Sequence, residues 1–115
     1  MNWSDPLFIT SGITGASLVL IGLIVRRFPP KEMNDLYGYR TKRSKASQEA
    51  WDFAQEYSND LLIWIGIYNI LIGSIGLFIS VPEFGGMVLS MIFIGISLGY
   101  LFWKTEAELK KRFGG

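Results

Sequence analysis

The sequence predicts an all-α integral membrane protein with three transmembrane helices plus an amphipathic helix at the cytoplasmic interface. Two observations predict it. Leu7–Val25, Leu61–Val81 and Met87–Trp103 are apolar runs of 19, 21 and 17 residues without an Asp, Glu, Lys or Arg. A bilayer core of roughly 30 Å needs about 20 apolar helical residues. The second observation is where the charges lie. All eleven Lys and Arg of the 115 residues fall between runs one and two or after run three. Three such runs in one small chain leave too little polar surface to cover them in water, so the spans face lipid. Lipid offers the backbone no hydrogen-bond partners, which makes each span helical.

The elements follow in order. Span one, about 7–25, ends before Arg26-Arg27, and Pro29-Pro30 stops its helix because neither proline donates a backbone hydrogen bond. Its positive charges follow the apolar run, unlike those of a secretory signal peptide, so it reads as an uncleaved anchor. Residues 31–43 read as an irregular loop. A helix begins after Ser44 or Ser47, either of which suits an N-cap. Ala46, Ala50, Phe53, Ala54, Tyr57 and Leu61 recur at helical spacing, with Glu49, Asp52, Glu56 and Asp60 largely on other faces. This is the amphipathic interfacial helix, either separate from span two, about 61–81, or continuous with it. A turn at 82–86 leads into span three, about 87–103, and a tail from 104 to 115. The whole is one membrane domain, with a loop from 26 to 60. Trp3, Trp64 and Trp103 lie near span ends, where interfacial aromatics belong.

Small residues mark packing faces. Gly66, Asn69, Gly73, Gly76 and Ser80 step by three and four along span two, and span three carries Gly95-x-x-x-Gly99. Such stripes let helix backbones approach closely, within one chain or between two copies. Asn69, in mid-span, is expected to make an interhelical hydrogen bond.

Orientation follows from charge. Seven basic residues lie between spans one and two and four after span three, with none in residues 1–6 or 82–86. The positive-inside rule places the loop and C-terminus in the cytoplasm and the N-terminus outside. The cytoplasmic membrane is the expected location.

Function classes narrow by composition. There is no cysteine and no histidine, which removes thiol chemistry, the usual proton shuttle and the commonest metal ligand. No cofactor, metal site or catalytic set is expected. Acidic residues interleave with the basic ones, which argues against nucleic acid as a partner. What remains is the segment Asn34 to Thr41. Asn34 and Asp35 are turn formers, and Gly38 between Tyr37 and Tyr39 suits a positive φ or a close backbone approach. The cluster Arg40-Thr41-Lys42-Arg43 attracts anionic lipid headgroups at about 1 kcal/mol per basic residue. Arg40 also suits a phosphate or carboxylate, or an ion pair with Asp52, Glu56 or Asp60.

Asn34-x-x-Tyr37-Gly38-Tyr39-Arg40-Thr41, followed by Ser44, Trp51 and Ala54, resembles the signature of the SdpI family of bacterial membrane proteins. The resemblance covers roughly residues 29–81, and span three fits as well. It implies a multi-pass protein of the toxin-immunity type, whose namesake protects producing cells from a secreted antimicrobial toxin and tethers a repressor at the membrane. The namesake is longer, with further transmembrane helices before this region. The expected site is then Asn34, Tyr37, Gly38, Tyr39, Arg40, Thr41 and Trp51, recognising a membrane-active peptide toxin or a membrane protein partner. Two other readings stand beside it. One is a lipid-phosphate enzyme or transporter, with Arg40 holding the anion and Asp35 or Glu56 as base. The other is an assembly subunit or homo-oligomer docking through its glycine faces.

Overall fold

Three helices make up the regular structure in a computed structural model that describes residues 3–34, 38–79 and 82–114, the side chain of Glu83 aside. They are α1 (Pro6–Arg27), α2 (Gln48–Ile75) and α3 (Glu83–Phe113). Each is long and apolar enough to cross a membrane. Asp5 caps α1, its carboxylate accepting from the Leu7 and Phe8 amides at 2.9 and 3.3 Å, with Pro6 in the first turn. The helix stops at Arg27, just before Pro29-Pro30.

The structure settles two boundaries. The amphipathic helix and span two are one uninterrupted α2 of 28 residues, capped by Ser47 accepting from the Ala50 amide at 3.0 Å. At 1.5 Å per residue α2 is about 42 Å long, well beyond a bilayer core, so its first turns project past the apolar zone. The tail after span three is also not separate. Residues 104–113 continue α3, whose 31 residues run on through Phe113. Both extensions carry charge on outer faces and bury uncharged residues on inner ones, so nothing in the chain stops either helix at headgroup depth. At its far end α2 tightens. Gly76, Leu77 and Phe78 bond back three residues at 3.0–3.1 Å, so the regular helix ends at Ile75, short of the apolar run's end at Val81.

The membrane part is held by a glycine seam between α1 and α2. A Cβ on Gly15 would lie 2.5 Å from the Gly66 carbonyl oxygen, and one on Gly66 2.7 Å from that of Gly15. A Cβ on Gly73 would meet the Gly12 nitrogen at 2.9 Å, and one on Gly76 the Phe8 nitrogen at 2.9 Å. These pairs rise on one helix as they fall on the other, so the helices are antiparallel and nearly in backbone contact. Ser80, the last member of the expected stripe, lies outside the described residues. Gly95 and Gly99 are different: both are exposed, and a Cβ on either meets nothing within 4 Å. The pair on α3 therefore packs on no helix of its own chain. Asn69 is buried but not interhelical. Its amide donates to the Ile65 carbonyl one turn back, at 2.9 Å. The bond expected of it is made instead by Asn59, which donates to the Gly22 carbonyl of α1 at 2.9 Å.

A second core lies at the end of the bundle carrying residues 28–47, here the loop end. Ala50, Ala54, Leu101 and Leu109 are buried there with Tyr39, and Phe53, Leu61 and Leu62 pack around them. The projecting halves of α2 and α3 thus form a cradle, and the loop lies in it.

Candidate functional site

The loop is fastened to α2 by two side chains one helical turn apart. Trp51 is fully buried, and its indole N–H donates to the Pro30 carbonyl at 2.6 Å. Four residues on, Gln55 meets the peptide of Tyr39 on both sides. The Tyr39 amide donates to Gln55 Oε1 at 2.6 Å, and Gln55 Nε2 donates to the Tyr39 carbonyl at 2.7 Å. The carboxamide acts as a short piece of β-ladder for a backbone with no strand beside it. This clamp also explains Gly38. Its φ is +102°, and a Cβ there would sit 2.6 Å from Gln55 Oε1 and 3.0 Å from the Pro30 ring. Only glycine lets the chain turn into the clamp.

Past the clamp the loop is knotted on itself and tied to α3. Ser44, which the sequence offered as a helix cap, is buried in the knot. Its hydroxyl lies 3.2 and 2.9 Å from the Tyr39 and Thr41 carbonyls and accepts from the Thr41 amide at 2.8 Å. The Thr41 hydroxyl donates to Glu106 of α3 at 3.1 Å, and Arg43 lies 3.8 Å from the same carboxylate. The Tyr39 ring packs on Phe102 with centroids 5.5 Å apart, its hydroxyl 3.5 Å from the Phe102 carbonyl. Burial, and next the Glu106 charge, push the Tyr39 phenol pKa well above the ordinary tyrosine value.

Of the expected site residues, Gly38, Tyr39, Thr41 and Trp51 come together in this assembly. Arg40 is exposed at its edge, and Asn34 lies apart, its amide donating to the Glu32 carbonyl at 3.0 Å. Tyr37 and Asp35 lie outside the described residues. Two of the carboxylates expected as partners for Arg40 are engaged elsewhere: Asp60 pairs with Arg26 at 2.8 Å, and Asp52 accepts from Gln48 at 2.8 Å.

Sequence reasoning missed Gln55, Asn59 and Glu106. The first two had a signal. Trp51, Gln55 and Asn59 share a helical stripe, and the buried face of α2 includes Ser58 as well; of the face expected to pack (Ala46, Ala50, Phe53, Ala54, Tyr57 and Leu61), Ala50 and Ala54 are fully buried, but the polar residues beside them were not expected there. Ala46 is exposed. Glu106 had none, since its partner Thr41 is 65 positions away.

Two cavities flank the clamp. One, of about 570 Å³, opens beside Pro29–Lys31 and the charged edge of α2. The other, of about 330 Å³, is largely apolar and lies between α1, α3 and Tyr39. Val25, Gln55 and Asn59 border both.

The chain is similar to known proteins across this assembly. No solved structure matches it. A protein of Bacillus subtilis (strain 168), named uncharacterized protein YfhL, is 36% identical over 101 residues, covering 87% of this chain and 86% of that one. The model of the SdpI/YfhL protein family matches residues 31–102, which take in the loop from Lys31 on, Trp51 and Gln55 of the clamp, all of α2 and α3 as far as Phe102. With a match over more than half its length and a relative alike nearly end to end, this chain belongs to the SdpI/YfhL family.

Proposed function

We propose that the protein is an immunity or resistance factor of the bacterial cytoplasmic membrane, acting against a membrane-active toxin, with Asn34–Thr41 as its recognition or switching element. The observation that carries this reading is the clamp. Trp51 and Gln55 hold the loop's backbone through Pro30 and Tyr39, which leaves the Arg40 edge exposed for contact. Family membership supports the reading, and the crowding of all basic residues at the loop end supports a cytoplasmic placement of that end. An anionic substrate is disfavoured, because the larger cavity beside the loop holds Asp52, Glu56 and Asp60 against Arg26 and Lys31.

The test is protection. Cells sensitive to a panel of membrane-active peptides, expressing this chain, should survive at least one of them better than cells carrying the Gln55→Ala or Arg40→Ala variant at equal membrane abundance. Unchanged killing across the panel would defeat the reading.

A further inference from the structure

Ser74, Ser90 and Ser97 each turn the hydroxyl onto the carbonyl four residues back, at 2.8, 2.9 and 2.7 Å. Ser58, in the body of α2 and only 7% exposed, does not. Among the described residues its hydroxyl makes no hydrogen bond, and it lines the smaller, largely apolar cavity. Asn59 lines the same cavity. Its Nδ2 donates to the Gly22 carbonyl, which identifies Oδ1 as the end that accepts from no donor among the described residues. Buried polar oxygens normally have partners, so two open oxygens on one wall mark a place for a ligand. The cavity is also polarised along the bundle. Tyr39, Ser58 and Asn59 stand at its loop end, and Ile21, Leu62 and Leu98 at the end nearer mid-span. No Asp, Glu, Lys or Arg lines it, so it offers no counter-charge to an ion. An apolar pocket of about 330 Å³ with a few polar groups at one end has the make-up of a small-molecule site.

We propose that this cavity binds an uncharged aliphatic alcohol, with its hydroxyl at Ser58 and Asn59 and its chain along Leu62 and Leu98. A hydroxyl both donates and accepts, which suits a wall that presents one hydroxyl and one carbonyl oxygen. A ketone only accepts and leaves Asn59 Oδ1 unmet. A carboxylate or an ammonium would enter without a counter-ion, and a hydrocarbon would leave both oxygens open. The wall from Gln55 to Leu62 is about 10 Å long, which limits the occupant to a chain of medium length. Tyr39 and Gln55 both line the cavity, so the occupant touches the clamp that holds the loop. The proposal does not depend on the immunity reading. Binding is measured on the purified protein and protection on living cells, and either result can fail alone.

The experiment is photolabelling of the full chain in lipid nanodiscs with octanol that carries a diazirine, the adducts being mapped by mass spectrometry. Labelling at Ile21, Leu62 or Leu98 should saturate. Unlabelled octanol should displace it about fivefold better than octane, octanone or ionised octanoate at equal concentration in the bilayer, the factor that one neutral hydrogen bond supplies. Ser58→Ala should lose most of that advantage while octane competes as before. Its thermal unfolding should not fall, because the hydroxyl has no partner in the fold to lose. Labelling that never saturates overturns the proposal, since the probe would then be reporting lipid contact alone. Octane or octanone matching octanol overturns it on the wild type, whatever the variant does. Octanoate outcompeting octanol, an advantage that survives Ser58→Ala, or a lower unfolding midpoint in that variant would each overturn it as well.

Discussion

The carboxamide of Gln55 meets the Tyr39 peptide with one acceptor and one donor, at 2.6 and 2.7 Å, in a place where water has little access. Losing it takes the acceptor from the buried Tyr39 N–H and leaves the carbonyl only the Ser44 hydroxyl, 3.2 Å away, at about 1–3 kcal/mol. Gln55→Ala should therefore lower the unfolding midpoint in detergent and speed hydrogen exchange at the Tyr39 amide. Exchange there at the wild-type rate would show that the amide is held by something else. The Tyr39 phenol gives a second test. Its pKa is raised in the fold, so above the ordinary value of 10 the folded state keeps a proton that the unfolded state releases. Its contribution is intact below pH 10 and is lost as pH rises beyond it. The wild type should thus lose more stability than Tyr39→Phe between the two sides of that pH, measured by unfolding of both proteins.

Among elements, the antiparallel pair α1–α2 depends on missing side chains. Gly66→Leu puts a Cβ 2.7 Å from the Gly15 carbonyl oxygen, where backbone and not a flexible side chain must move. Overpacking of this kind costs about 1–3 kcal/mol. The Cβ of Gly99→Leu meets nothing within 4 Å among the described residues, so this substitution should not lower the unfolding midpoint. Equal effects of the two substitutions would contradict the seam. The glycine steps on α2 were legible in the sequence because close helix approach in lipid admits few residue types. The partner of each was not, and the same spacing on α3 packs on nothing among the described residues. The continuity of α2 was only an option in the sequence for a related reason. Charges at Glu49, Asp52, Glu56 and Asp60 mark where the apolar zone ends, but a helix has no need to end there too.

For the whole molecule, the three spans were readable because a bilayer dictates length, apolarity and helicity together. The cradle was not, because it is built from hydrogen bonds between residues distant in sequence, such as Thr41 and Glu106. Orientation can be read directly, since the chain has no cysteine. Single cysteines in place of Ser4 and Lys42, both exposed, should separate cleanly. An impermeant thiol reagent should label intact cells at the first and only opened cells at the second. The reverse pattern would invert the topology.

Trp51 and Gln55 stand one helical turn apart, and they hold Pro30 and Tyr39. The chain thus leaves α2 at one rung and returns at the next, with its excursion closed at the base like a purse on a drawstring. Closure of such an excursion depends only weakly on its length, each doubling adding about 0.6 kcal/mol. A short epitope spliced between Met33 and Asn34 should therefore leave both rungs occupied and the protein in the membrane, as unfolding and antibody binding would report. If Asn34–Thr41 is the working surface, the same splice silences the protein without unfolding it. It would serve as a null allele that keeps its shape, and as a control for every other variant of this chain.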